Sequence, residues 1–331
     1  MTVVSVEVVR DAASLQALRA EWDALVDVAA GATPFQRPGW IVPWMENMGI
    51  ETPCALALRC GGDLVGLLPA FLRGPDGDRT FSLMGAGSSD HLDAIAAVGF
   101  ERSVLDAVHD WLEETRGQWR SCTFDELGPR ALLRELAPPA GAHARIDPQS
   151  VCPVLVAADG DFEAVVPRPQ LARLSKARRR VERMGELELR RRDRGDDLLQ
   201  TLHALIALHA KRWELRREAG VLGDARVRRL HEDVVNAFAA RGMVRLYSMH
   251  MGGTPAAVVY GFREGARLHL YLQAVEPALE RLDPGTVLVG FVIEDALREG
   301  VREVDFLRGG EPSKYAWGAM DEANARVCIA A

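Results

Sequence analysis

Acid–base side chains cluster directly after one predicted strand near the end of the chain. The predicted strand 303–307 contains Asp305, and the polar run behind it adds a carboxylate, an ammonium and a phenol at Glu311, Lys314 and Tyr315. Transfer of a group from a donor to an acceptor needs a base for the attacking atom, a donor for the negative charge that develops and an acid for the leaving group. We expect Glu311 to act as the base, Lys314 to stabilise the negative charge or the leaving group, and Tyr315 to act as the acid.

A candidate anion site precedes this cluster. An apolar strand that breaks at Pro-Gly and enters a helix leaves backbone N–H groups without acceptors at the positive end of the helix dipole. Such a helix start binds pyrophosphate. The residues expected to hold a phosphate-bearing donor are the strand end and the first helical turn: Tyr271, Leu272, Pro284, Gly285, Thr286 and Val287.

A third candidate lies on a predicted amphipathic helix that ends near Trp213. His209 occupies an apolar position of that helix, where a histidine is either hydrogen-bonded in the core or available for proton transfer. The neighbouring Arg212 is expected to bind a carboxylate or phosphate, and Trp213 to contact substrate or pack.

The elements that must position these groups form a duplication. Hairpins with Gly-Gly turns are predicted at Gly61-Gly62 and at Gly252-Gly253, which lie 191 residues apart (252 − 61). Trp22 and Trp213 are also 191 residues apart (213 − 22). Each copy continues with a strand, a helix and a last strand. We therefore predict an α/β fold with a mixed sheet, made of two similar domains at 1–150 and 151–331. Coincidental hairpins in one large sheet are the alternative.

A basic helix is predicted between the two copies. Residues 168–194 contain eleven Arg or Lys against four acids. The expected phosphate-binding side chains of this helix are Lys176, Arg180 and Arg183. The alternatives are a solvated helix face, or a surface for coenzyme A, acyl carrier protein, tRNA or anionic lipid.

Composition limits the class of protein. The net charge of −7 over 331 residues argues against a general DNA-binding protein. The segment from Met1 to Glu7 has no signal-peptide pattern and no apolar run is long enough to span a bilayer, so we expect a cytoplasmic protein. The five cysteines are predicted to be free thiols, and the histidines show no zinc-binding spacing.

These motifs, taken in order, resemble the GNAT-superfamily acyltransferases of the CelD-like type, which share a doubled fold with Fem-type peptidyltransferases. The second half carries most of the resemblance, and Gly87–Asp93 adds to it in the first. The matching stretches are His209-Ala210-Lys211-Arg212-Trp213, Gly253-Thr254-Pro255-Ala256-Ala257, Pro284-Gly285-Thr286-Val287-Leu288 and Asp305-Phe306-Leu307-Arg308-Gly309-Gly310-Glu311-Pro312.

The resemblance implies a tandem GNAT-like fold and an N-acyltransferase that uses acyl-CoA or acyl carrier protein (acyl-ACP) as co-substrate, without a metal. The C-terminal domain would bind the donor, and Asp90, His91 and Arg308 would contact a small-molecule or lipid amine. Two departures concern the glycine-poor loop at Pro284 and the position of Tyr315 after Lys314 rather than before it.

Three functional alternatives remain open at this point. An aminoacyl-tRNA-dependent Fem-type transferase is the second hypothesis, and a non-catalytic binding partner in polysaccharide or lipid assembly is the third. The basic helix also allows a weak peripheral contact with the inner membrane.

Overall fold

The structure is a computed structural model that describes residues 4–50, 53–158, 160–195 and 197–330. Residues 1–3 and residue 331 lie outside the described residues. The prediction that the segment from Met1 to Glu7 is not a signal peptide therefore falls partly outside them. The five cysteines are free thiols, as predicted, and Cys54, Cys122 and Cys152 are buried.

The chain divides into two compact units. Unit 1 comprises, within the described residues, 4–151 and 322–330, and unit 2 comprises 152–321. The predicted C-terminal domain includes residues 322–330, which group with unit 1 in the structure. The physical reason is that the final strand pairs antiparallel with a strand of unit 1 through Ala325–Ala330.

Unit 1 contains two sheets with helices between their strands. Its elements are β1 (Ser5–Val9), α1 (Ala12–Ala17), α2 (Arg19–Val28), α3 (Pro38–Met48), β2 (Ala55–Cys60), β3 (Asp63–Leu68), β4 (Ala70–Arg73), β5 (Thr80–Leu83), β6 (Ile95–Ala96), α4 (Glu101–Glu114), β7 (Ser121–Leu127) and the first part of β8 (His143–Val156). The first sheet has the order β1-β2-β3-β6, and the second contains β4, β5, β7 and the final strand in that order.

Unit 2 is built on a mixed sheet with the order β8-β13-β12-β11-β10-β9. Its elements are α5 (Phe162–Val165), α6 (Arg168–Glu182), β9 (Leu187–Arg192), α7 (Asp197–Leu215), α8 (Ala225–Ala239), β10 (Val244–Met251), β11 (Thr254–Glu264), β12 (Arg267–Val275), α9 (Pro284–Arg298), β13 (Glu303–Asp305), α10 (Pro312–Tyr315) and the start of β14 (Met320–Ala330).

The same order of elements occurs in both units. Three antiparallel strands, β1-β2-β3 and β9-β10-β11, contain the two predicted Gly-Gly hairpins. Each unit then has a strand, a helix and a second strand that pairs parallel to the first: β5, α4 and β7 in unit 1, and β12, α9 and β13 in unit 2. The predicted mixed α/β fold with a repeated unit is confirmed.

Helix α9 is the central helix of unit 2. Its residues Leu288, Val292 and Ile293 are fully buried in the apolar core that covers one face of the sheet. Helix α6 packs closely on α9 at Gly290, where the Leu174 side chain lies against the glycine. The positions of the anion site at the start of α9 and of the cations on α6 are therefore coupled.

We predict that Gly261→Ala lowers the stability of the protein. A β-carbon at Gly261 would come closer than van der Waals contact to the backbone oxygen of His269, because β11 and β12 approach closely there. Overpacking against backbone costs about 1–3 kcal/mol. Urea unfolding measures the effect, and Gly117→Ala, which meets no atom within 4 Å, is the matched control. Equal stability of the two variants would contradict the prediction.

Candidate active site

The sheet of unit 2 opens where its two parallel strands separate. Strands β12 and β13 pair over only three positions, from Arg267↔Glu303 to His269↔Asp305. Strand β13 then ends, whereas β12 continues to Val275. Within the described chain, no strand continues the pairing on that side of β12. The backbone of Leu270–Val275 therefore offers an open edge, to which an extended ligand can pair as a strand does.

A buried acid–base pair lies at the closed end of this opening. Asp305 is fully buried, and its Oδ2 lies 3.4 Å from Nδ1 of His269 and 3.4 Å from Nε of Arg267. Its Oδ1 accepts the backbone N–H of Leu307 at 2.8 Å. A buried carboxylate needs such partners, since an uncompensated charge is costly in a protein interior. The arrangement fixes the imidazole of His269, which is itself only 1% exposed.

Unit 1 has no acid–base pair at the equivalent position. Its parallel strands also pair over three positions, and the last pair there is Ser82↔Thr123. Unit 2 therefore has a histidine and a carboxylate where unit 1 has two hydroxyl groups. The catalytic role predicted for Asp305 stays a prediction.

Sequence reasoning missed His269. The residue lies in a strand of ordinary alternating pattern, and 36 residues separate it from Asp305. Only the register of a parallel pair, joined through α9, brings the two side chains together. The signal that could have found it is a histidine on one predicted parallel strand with a carboxylate at the matching register position of the next strand.

A β-bulge follows directly after His269. Tyr260 pairs with Leu272 and Gly261 with Leu270, so Tyr271 is the extra residue of β12. Its ring lies 5.1 Å from that of His231 and 6.0 Å from that of Tyr260. Burial lowers the pKa of His231 to about 3, so this imidazole is neutral. The bulge turns the predicted donor residues Tyr271 and Leu272 into the open part of β12.

The predicted anion site at the start of α9 contains a carboxylate of the protein itself. Asp283 precedes Pro284 in the left-handed region, with φ 64°. Its carboxylate accepts the Thr286 hydroxyl at 2.8 Å and the Nε–H of Arg173 at 2.7 Å. Backbone N–H groups in the first turn of a helix can bind a phosphate, but the negative charge of Asp283 weakens the binding of a further anion there. A β-carbon at Gly285 would lie 2.6 Å from the side-chain amide nitrogen of Gln273, so a larger residue there would have to displace that side chain.

Lys314 stabilises the loop that follows β13. Its ammonium donates to the carbonyl oxygens of Leu307, Arg308 and Gly309 at 2.8–3.0 Å and contacts the Glu311 carboxylate at 2.9 Å. Partial burial raises the pKa of Glu311, but the Lys314 ammonium outweighs it and holds the pKa below its ordinary value. A lowered pKa makes a weaker base. The catalytic roles predicted for Glu311 and Lys314 stay predictions.

Tyr315 and Arg308 lie on the outer side of the same loop. The Tyr315 hydroxyl donates to Asp321 at 2.6 Å, and this bond raises the pKa of the phenol. Arg308 is exposed. The roles predicted for Tyr315 and Arg308 stay predictions.

His209 occupies a separate apolar environment. It is 6% exposed on α7 and its ring lies 5.7 Å from that of Trp213. The backbone of Gly220 covers both rings, since a β-carbon there would lie 2.5 Å from each. Burial, and then the charge of Arg212, lowers the pKa of His209, and its Nδ1 has no hydrogen-bond partner among the described residues. The structure does not bring His209 to Glu311 or Lys314 by any hydrogen bond in the described chain.

The predicted phosphate-binding cations are exposed on α6. Lys176, Arg180 and Arg183 all face solvent, whereas Ala177 and Val181 are buried against the core of unit 2. In the described residues the cation joined to the start of α9 is Arg173, through Asp283.

The predicted acceptor residues of unit 1 are buried in a polar cluster. Asp90 is 5% and His91 6% exposed, and the Asp90 carbonyl accepts from Nδ2 of Asn324 at 2.6 Å. Asn324 also donates to the buried carboxylate of Glu126 at 2.9 Å, which accepts the Ser150 hydroxyl as well. Sequence reasoning missed Asn324 and Glu126, because 198 residues separate them. The acceptor role of this unit stays a prediction.

A second buried carboxylate in unit 1 holds a surface turn. Asp93 accepts the backbone N–H groups of Leu132 and Leu133 at 2.6 and 3.0 Å, and that of Ala94 at 2.8 Å. Burial of the carboxyl raises its pKa to about 7, although the three N–H groups favour the ionised form.

Comparison with known proteins adds a family and a fold. Residues 168–315 match the family described as an acetyltransferase (GNAT) domain. No curated protein matches the chain. None of the helices in the described part of the chain is both long enough and apolar enough to cross a membrane.

Three solved structures are similar in fold. FemX has a TM-score of 0.64 at 11% identity and covers 94% of this chain and 95% of its own. A conserved protein of unknown function from Bacteroides thetaiotaomicron VPI-5482 has a TM-score of 0.64 at 11% identity, with 98% and 100% covered. The C-terminal DUF2156 domain of a putative lysylphosphatidylglycerol synthetase from Agrobacterium fabrum has a TM-score of 0.54 at 11% identity, with 80% of each covered. At these identities the likeness shows the fold alone.

The matched segment contains α6 to α10, and therefore the open edge of β12, the start of α9 and the His269–Asp305 pair. The part of the chain that matches the GNAT acetyltransferase domain thus lies within unit 2. The protein is an acyltransferase with an α/β GNAT-like fold.

We predict that the stability of unit 1 falls as the pH rises from about 4 to about 7. The pKa of Asp93 is about 7 in the folded chain and near its ordinary 3.8 in the unfolded chain, so the folded state binds the extra proton in that range. Urea unfolding across this range should show a shallower decline in Asp93→Asn. Asp76→Asn, at a carboxylate that is 88% exposed, is the control and should follow the wild type. A decline of equal slope in both variants would refute the role of Asp93.

Proposed function

We propose that the protein is an N-acyltransferase that moves an acyl group from a thioester donor, acyl-CoA or acyl-ACP, directly to an amine in a ternary complex. This is also the activity that the CelD-like resemblance implies. The observation that carries the proposal is the open edge of β12, which begins where the buried His269–Asp305 pair ends the contact with β13.

The open edge suits the arm of a thioester donor. The backbone of Leu270–Val275 provides N–H and C=O groups to an extended, amide-containing arm, as in strand addition. The edge leads toward the start of α9, where Gly285 and Thr286 belong to the first turn. Phosphates of the donor are proposed to lie there, with Arg173 as the nearest cation described in the structure.

The proposed chemistry needs one base and one leaving group. The amine nitrogen attacks the thioester carbonyl carbon, its proton passes to His269 directly or through one water, and a C–N bond forms. The C–S bond then breaks, and the thiolate leaves with the electron pair and takes up a proton. Asp305 stabilises the imidazolium that forms in the process. N–H groups of the open strand are donors of the kind that stabilise an oxyanion.

A Fem-type transfer from aminoacyl-tRNA is the principal competitor. The fold is compatible with it, since FemX is similar over most of the chain. The described chain between 163 and 199 contains one long helix, α6, followed by the strand β9. Because the likeness covers 95% of FemX itself, the fold suits both donors, and the two activities are separated by experiment.

Thermal unfolding in the presence of candidate donors separates these activities. Coenzyme A and long-chain acyl-CoA should raise the melting temperature, and aminoacyl-tRNA should not. Turnover is then followed by thiol release from acyl-CoA with amino acids, amino sugars and sphingoid amines as acceptors. Stabilisation by aminoacyl-tRNA alone would favour the Fem-type activity, and stabilisation by none of them would support a binding protein.

We predict that His269→Gln and Asp305→Asn each lower kcat for thiol release by about 10²–10⁴, the usual contribution of a general base. His203→Gln is the control, because His203 is exposed on α7 and pairs with Glu232. Glu311→Gln in the same assay tests the base that the sequence predicts. Wild-type turnover in a folded His269→Gln protein would remove His269 from the mechanism.

We also predict that Asp283→Asn tightens the binding of coenzyme A. The substitution removes a negative charge from the helix start while leaving an oxygen that can accept from Thr286. A charge at this position is worth about 0.3–1 kcal/mol, or roughly a two- to fivefold change in Kd. Calorimetric titration measures it, with Glu280→Gln as the control. Weaker binding by Asp283→Asn would show that the carboxylate orders the site rather than opposing the phosphates.

A further inference from the structure

The outward face of α6 carries a continuous row of positive charge. At 100° per residue, six cations lie within about 140° of the helix circumference. All six are exposed: Arg168, Arg173, Lys176, Arg179, Arg180 and Arg183. The acid of this helix, Glu182, lies outside that arc and pairs with Arg178. The helix of 15 residues is about 22 Å long, so the row, here called the cationic row, extends over that length.

The cationic row is held in a fixed position by the opposite face of α6. Ala177 and Val181 are fully buried in the core of unit 2, and Leu174 contacts Gly290 of α9. At one edge of the row, Arg173 reaches the start of α9 through its ion pair with Asp283. The row therefore ends where the donor phosphates are proposed to lie.

The length of the row suits an anionic partner larger than a free donor. Phosphates bound at the start of α9 would meet Arg173, but most of the row extends beyond them along the helix. Clustered like charges raise the local positive potential and attract a complementary surface. The net charge of the chain is −7, so the row contrasts with the protein as a whole.

The composition of the arc favours an acidic protein over a membrane. Helices that bind bilayers combine their cations with large apolar side chains that enter the lipid. The other residues within the arc are Pro169 and Ala172, which are small. Met184, which directly follows the row, is 64% exposed, but no large apolar side chain lies between the cations, and a rigid row of this kind matches the acidic face of a second helix.

We propose that the cationic row is the docking surface for an acidic carrier protein, which presents the acyl thioester to the open edge of β12. The proposal rests on the proposed function and names the form of its donor. The acidic face of the carrier lies along α6, and its thioester arm enters beside Arg173. Free acyl-CoA can serve as a donor, but it does not use Arg168 or Arg179.

The test compares two double variants of unit 2, in each of which two arginines are changed to glutamate. Arg168→Glu with Arg179→Glu reverses two cations of the row and leaves the predicted phosphate-binding cations in place. Arg217→Glu with Arg229→Glu reverses the same charge at exposed positions outside α6. The probe is holo acyl carrier protein, and binding is measured by fluorescence anisotropy at low and high salt.

The reversal on α6 should weaken carrier binding by about tenfold or more, with a loss of salt dependence, and the control pair should bind as the wild type does. kcat/KM should fall with acyl-ACP as donor and stay unchanged with acyl-CoA. Equal carrier binding by all three proteins would overturn the proposal. The proposal would also be overturned if kcat/KM with acyl-CoA fell as much as with acyl-ACP. A reversal that weakened binding only to tRNA, or only to anionic phospholipid vesicles, would overturn it as well.

Carrier binding is measured without turnover. If no acyl group is transferred from any donor, the proposed function fails, but the anisotropy measurement still decides whether the row binds the carrier.

Discussion

The limited pairing of β12 with β13 determines the organisation of unit 2. Two parallel strands that stayed together would leave no free backbone and no space at their carboxyl ends. Here β13 ends at Asp305, a fully buried carboxylate whose partners lie on β12 and at the following backbone N–H. The desolvation of this carboxylate requires His269 and Arg267 to stay close to it. The same contacts therefore hold the strands together at one end and fix the imidazole where they separate.

At the start of α9, the charges of Asp283 and Arg173 compensate each other. The helix presents first-turn N–H groups, and Asp283 places a carboxylate beside them. Arg173 from α6 neutralises that carboxylate, so the cations of α6 and the dipole of α9 act at one place. A donor phosphate would exchange one anionic partner of Arg173 for another. Because α6 is packed on α9 through Leu174 and Gly290, the geometry of this exchange is preset.

The two units show that one architecture supports different chemistry. Both contain three-residue parallel pairs after a Gly-Gly hairpin, but the last pair is Ser82↔Thr123 in unit 1 and His269↔Asp305 in unit 2. Unit 1 instead buries the Glu126 carboxylate with Asn324 and Ser150, on the part of β7 that continues beyond its last parallel pair. A repeated fold thus provides the frame, and the residues at the strand ends decide what each copy can do.

The amino-acid sequence by itself determined the repeated elements, because apolar periodicity, Gly-Gly turns and Pro-Gly breaks act within a few residues. It also located Asp305 and the start of α9. The tertiary structure alone decided that His269 is the partner of Asp305, that Asp283 lies in the anion site and that Lys314 binds three carbonyl groups of its own loop. It also decided that the last strand belongs to unit 1. Each of these depends on strand register or on a side chain reaching a distant segment, and burial of charge, rather than local propensity, selects such contacts.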